Sequence, residues 1–118
     1  MFQQNYGPFY PYYYRRPESS FPPVTIEYFG KSLTAYLTLL EHGRIIINSL
    51  VTSQDTMVQL MEAAQASDDA QVDQVIKSTG VPSVVETSYT PTGVTFTLRA
   101  DAEGSQCCRL TMYLRWGF

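Results

Sequence analysis

Phenol and thiol are the reactive groups that this chain concentrates. Five tyrosines, Tyr6, Tyr10, Tyr12, Tyr13 and Tyr14, fall within the first fourteen residues. Gly7, Pro8, Phe9 and Pro11 lie among them, and Arg15, Arg16 and Pro17 follow. Rings spaced by glycine and proline stay accessible. They offer large contact area at low entropic cost, arginines can stack on them, and phenols held close can couple under oxidation. Cysteine occurs only as the adjacent pair Cys107-Cys108. Neighbouring side chains of a strand point to opposite faces. The sequence therefore predicts diverging sulfurs, for which an intrachain bridge is geometrically poor. Cys108 reads as a small core residue, and Cys107 as an exposed thiol able to link chains. The candidate assembly or cross-linking residues are thus Tyr6, Tyr10, Tyr12, Tyr13, Tyr14 and Cys107.

Other reactive side chains have simpler explanations. His42 is the one imidazole. A hydrolytic triad sets an imidazole between a nucleophile and a carboxylate. Glu41 and several serines are available, yet no G-x-S-x-G elbow is present, and His42 reads as a surface residue of a helix. Asp68, Asp69 and Asp73 form an acidic cluster in which Ala70, Gln71 and Val72 interrupt the alternation of a calcium loop. Favourable charge at a helix N-terminus accounts for them. The seven glycines are dispersed and form no phosphate loop. The expectation is a protein that is not an enzyme, with no cofactor, no metal and no small-molecule substrate.

Charge and hydropathy narrow the partners. The formal charge is −3. Residues 24–118 carry six basic side chains against ten acidic ones, so nucleic acid is not an expected partner. No apolar run approaches the ~20 residues of a membrane span. The opening Met1-Phe2-Gln3-Gln4-Asn5 lacks the basic and apolar regions of a signal peptide. Synthesis and retention on the cytoplasmic side of the producing cell are expected.

The elements that must position these groups divide the chain in two. Residues 1–23 hold eight of the sixteen aromatics and five of the seven prolines, without helix or strand period. They read as a flexible or polyproline-like arm ending at Phe21-Pro22-Pro23. Residues 24–118 form one domain, large enough for a modest core. From Lys31, apolar Leu33, Tyr36, Leu37 and Leu40 mark a helical face, and one helix over 31–51 runs through Gly43 at a cost of about 1 kcal/mol. Ser53 caps a second helix over roughly 54–66. Asp68 and Asp69 open a third, with Val72, Val75 and Ile76 inward and Gly80 as its stop. This helix pair locally resembles a single ankyrin helix–turn–helix, but one copy without the T-P-L-H segment is hairpin grammar and not a solenoid.

Past residue 83 the period becomes two. Val84 to Tyr89 form a strand, Thr90-Pro91-Thr92-Gly93 turns the chain, and Val94, Phe96, Leu98 and Ala100 alternate with polar residues. Glu103-Gly104-Ser105 turns again. In the last strand Cys108, Leu110, Met112, Leu114 and Trp116 share an apolar face, and this strand is expected to be central to the core. The predicted fold is α+β: two to three helices packed on a C-terminal three-stranded antiparallel meander.

Two segments together carry a family resemblance. They are the opening Asn5-Tyr6-Gly7-Pro8-Phe9-Tyr10-Pro11-Tyr12-Tyr13-Tyr14-Arg15 and the closing Gln106-Cys107-Cys108-Arg109-Leu110-Thr111-Met112-Tyr113-Leu114-Arg115-Trp116. With Ala63-Ala64-Gln65 and Ile76-Lys77-Ser78-Thr79-Gly80 between them, the chain resembles small inner-spore-coat-type proteins of endospore-forming bacilli. The resemblance implies synthesis in the mother cell, deposition on the spore coat, and other coat proteins or self-association as partners. A second reading is a soluble module whose sheet and helices present a groove to a protein or peptide.

Overall fold

The computed structural model describes residues 24–117. Three helices, α1 (Glu27–Val51), α2 (Gln54–Gln65) and α3 (Asp69–Lys77), precede three strands, β1 (Val85–Thr90), β2 (Gly93–Ala102) and β3 (Ser105–Arg115). The strands form one antiparallel sheet in the order β1-β2-β3. This is the predicted α+β layout. The N-terminal arm and its tyrosines lie outside the described residues.

Local chemistry sets the element ends. Ser53 Oγ accepts from the Thr56 amide at 3.2 Å and caps α2. Asp68 Oδ1 accepts from the Gln71 amide at 3.1 Å and caps α3. The chain leaves α3 through Gly80 at φ 85°, a left-handed conformation in which glycine avoids a Cβ clash. Two residues, Pro91 and Thr92, separate the paired Thr90 and Gly93 of the first hairpin. Glu103 and Gly104 join the second, both at positive φ, as a type I′ turn requires.

The core lies between one sheet face and the helices. Phe96, Leu98, Leu39, Ile46 and Val72 are its largest fully buried side chains. Val94, Phe96 and Leu98 recur at period two along β2, which has a strand on either side. The helices contribute Leu60, Ala63, Ala64, Val75 and Ile76. The opposite sheet face carries Glu86, Arg99, Arg109 and Thr111 toward water, with an Arg99–Glu86 ion pair of 2.7 Å.

Two expectations require correction. β3 has the predicted face inward, but it is an edge strand: Leu110 and Met112 are half-buried and Leu114 is 39% exposed. The heart of the core belongs to β2. Helix α1 also turns a different side to the sheet. It starts at Glu27, not Lys31, and buries Leu39, Gly43 and Ile46, with Tyr36 and Leu50 at the margin. Leu33, Leu37 and Leu40, which the spacing marked as inner, remain exposed. Gly43 explains the choice of side. A Cβ there would meet Leu110 Cδ2 at 2.9 Å and Met112 Sδ at 3.2 Å. The helix passes close over β3 at a position that has no side chain.

Candidate functional site

Helix α1 is apolar over two adjoining faces. One packs on the sheet, through Leu39 and Ile46. The other carries Phe29, Leu33, Leu37 and Leu40, exposed by 65%, 53%, 67% and 47%. Their spacing of four, four and three places them in one stripe along the helix. Val24 and Ile26, just before α1, are exposed too. The apolar stripe lies near the end of the domain that follows the aromatic arm in sequence. Such a surface has the composition of a contact site.

The N-terminal half of α1 is anchored to the second hairpin. Lys31 Nζ donates to Glu103 in the β2–β3 turn, and the Tyr28 and Ser105 hydroxyls lie 3.5 Å apart. Next to this anchor sits the cysteine pair. The β2–β3 register shifts between Ala100 and Asp101: Ala100 faces Cys108 while Asp101 faces Gln106. Cys107 is thus the extra residue of a β-bulge. A bulge interrupts strict alternation, and the two sulfurs are paired side by side instead of diverging. Both cysteines are half-buried. Cys107 Sγ lies 3.6 Å from Ala100 O, and Cys108 Sγ 3.8 Å from Ser32 O. The pair lines an open groove with Tyr28, Phe29, Leu33 and Tyr36. The apolar stripe and the thiol site therefore share one edge of the molecule.

The other candidates fall elsewhere. His42 is half-buried, and its Nδ1 pairs with the Ser83 hydroxyl just before β1. That contact ties α1 to the loop leading into the sheet, and neither residue lines the cysteine groove. Asp68 is a helix cap. Asp69 accepts a hydrogen bond from the Tyr89 phenol. That bond, followed by partial desolvation and the charges of Asp69, Asp68 and Asp73, raises the Tyr89 pKa above its ordinary value. Tyr89 borders a second groove with Met61, Pro91 and Trp116. Among the described residues no group of His, Cys, Asp and Glu is arranged to hold a metal, and no helix is long and apolar enough to cross a membrane. Tyr6, Tyr10, Tyr12, Tyr13 and Tyr14 precede the described residues.

Sequence reasoning missed the bulge and the exposed stripe. Strand alternation gives no cue to a bulge at Cys107. The stripe was visible as periodicity, but the spacing marked it as the inner face of the helix.

The described residues form a small α+β domain with an exposed apolar stripe on its longest helix and two adjacent cysteines beside it. The chain belongs to the family described as YuzC spore coat inner layer protein, whose model matches residues 26–109. It is 28% identical over 107 residues to a protein of Bacillus subtilis (strain 168) described as uncharacterized protein YuzC, covering 91% of this chain and 82% of that relative. No solved structure matches. The family match spans α1 to the bulge of β3 and begins beyond the tyrosine-rich arm.

Proposed function

We propose that this protein is a non-enzymatic structural component of the inner spore coat, held there by contacts with other coat proteins or with copies of itself. Residues 24–118 are its folded domain, and residues 1–23 are an aromatic segment for assembly or cross-linking. The observation that carries this reading is the exposed stripe Phe29, Leu33, Leu37 and Leu40 on α1. A soluble monomer gains nothing from leaving four large apolar side chains in line on its longest helix, whereas an assembling subunit buries them on contact. The arm enters the domain at the same end and is rich in rings suited to stacking. His42 is engaged with Ser83 in joining a loop to a helix, which gives it a structural task.

The test uses sporulating cells and a tagged full chain. Two variants are compared with the parent: Leu33→Ser with Leu37→Ser, and Tyr10, Tyr12, Tyr13 and Tyr14 all changed to Ser. Both should be folded when purified, and both should be lost from the extraction-resistant coat fraction. Undiminished retention of the two variants would refute the reading. His42→Ala should be retained like the parent.

A further inference from the structure

We propose that Cys107 and Cys108 form a thiol–disulfide exchange site, at which a thiol from a second molecule is taken up reversibly as a mixed disulfide. This goes beyond the assembly reading and stands independently of it. Three observations meet at the site. The bulge brings both sulfurs to the same side of β3, next to one another. Each sulfur also has a backbone carbonyl in reach, Ala100 O for Cys107 and Ser32 O for Cys108. Those carbonyls accept S–H bonds when the pair is reduced, so the same frame accommodates the dithiol and the disulfide. Finally, the sulfurs are not sealed in the core. They open onto a groove of about 540 Å³ walled by Tyr28, Phe29, Leu33 and Tyr36. An apolar group attached to an incoming thiol can seat there.

The exchange balances without an external oxidant or reductant. A thiolate of the second molecule attacks Cys107 Sγ and forms a new S–S bond. The Cys107–Cys108 bond breaks, and Cys108 leaves as a thiolate that takes a proton from water. The incoming sulfur is oxidised as Cys108 is reduced. In the reverse step Cys108, adjacent in sequence, attacks Cys107 Sγ, expels the guest thiolate and restores the pair. Cys107 is the attacked sulfur because it is the bulged residue, displaced from the ladder. Cys108 is the resolving one, held against α1 at Ser32. The guest is either a small thiol or a cysteine on another protein chain, and the chemistry is common to both.

The test uses the purified full chain, reduced and then treated with oxidised glutathione. The parent should end as a monomer lighter by two hydrogens than its reduced form, with the change mapped to the peptide containing Cys107 and Cys108. Cys108→Ser should retain a single reducible adduct on Cys107. A glutathione adduct identifies a small-thiol guest, a reducible dimer a protein thiol, and either supports exchange. Phenylarsine oxide, which bridges two close thiols, should bind the reduced parent one to one and fail on Cys107→Ser and Cys108→Ser. A parent that stays a dithiol, or that oxidises only between chains, would overturn the proposal. So would serine variants that bind the arsenical as well as the parent does. Should Cys108→Ser not fold, the parent's mass change and arsenical stoichiometry still decide. Because the readout is chemical and uses isolated protein, loss or survival of coat retention has no bearing on it.

Discussion

Helix α1 holds two glycines that ought to respond oppositely to the same substitution. Gly30 has no atom within 4 Å of the position of a built Cβ. Gly43 would place that atom 2.9 Å from Leu110 Cδ2 and 3.2 Å from Met112 Sδ. In an open helical position Gly→Ala gains about 0.5–1 kcal/mol, because the unfolded chain loses freedom and the helix gains a better former. Gly30→Ala should show that gain. Gly43→Ala receives the same propensity term and an overpacking penalty of about 1–3 kcal/mol. The atoms in the way are ends of flexible, half-buried side chains on an edge strand, which puts the penalty at the low end of that range. The two terms nearly cancel, leaving Gly43→Ala roughly 0–1 kcal/mol less stable than the parent. The two variants should therefore differ by about 1–2 kcal/mol. At roughly 4–8 °C per kcal/mol for a domain of this size, Tm separates them clearly. Gly43→Val, with two more methyls at the same contact, should exceed the alanine cost, and Met112→Ala should relieve part of it in a double-mutant cycle. Urea and thermal unfolding of the parent, these variants and the double mutant supply the numbers. If Gly43→Ala stabilised the protein as much as Gly30→Ala, the close approach of α1 to β3 would be wrong.

Leu98→Ala should cost about 2–5 kcal/mol, since Leu98 is fully buried in the middle strand. Leu114→Ala, on the partly exposed end of β3, should cost under about 1 kcal/mol by the same denaturation assay. Tyr89 has a folded pKa raised above its unfolded value by Asp69. Its contribution is thus complete below the unfolded value and is lost as pH rises through the folded one. Spectroscopic titration should show one tyrosinate forming late, and Tyr89→Phe or Asp69→Asn should abolish that late step. A chain beginning at Phe21 should unfold within about 5 °C of the full chain, near 1 kcal/mol for this size. A larger fall would mean that the arm contributes to the fold.

Helix caps and turns were legible because a few neighbouring residues decide them. Ser53 and Asp68 cap through their own side chains, Gly80 stops α3 through its own φ, and the Pro91-Thr92 and Glu103-Gly104 turns are encoded in place. Period-two patterning likewise located β2 and β3. What local signals could not decide was relative placement. Leu37 and Leu39 are chemically identical, and only the crossing of β3 at Gly43 makes one solvent-facing and the other buried. The rank of β2 over β3 depends on which strand has two neighbours, a property of the sheet and not of either segment. Cys107 escaped for the same reason, because a bulge is a mismatch between two strands and is invisible in either alone. The tyrosines of the arm are plain in the sequence, and the role proposed for them rests on that composition.

The way α1 is anchored has a consequence for biogenesis. Its partners are late in the chain: Lys31 pairs with Glu103, Ser32 meets Cys108, and Gly43 fits against Leu110 and Met112. On a ribosome the helix emerges before any of them exists. Its sheet-facing side, Leu39 and Ile46, is then as bare as the stripe through Phe29 and Leu37. The α2–α3 hairpin and the strand meander are short-range and can close as they emerge, whereas the seating of α1 on β3 is complete only after the second hairpin is made. Until β3 is made, the helix is sticky on two sides. Afterwards one side is sealed, and only the stripe through Phe29 and Leu37 stays open.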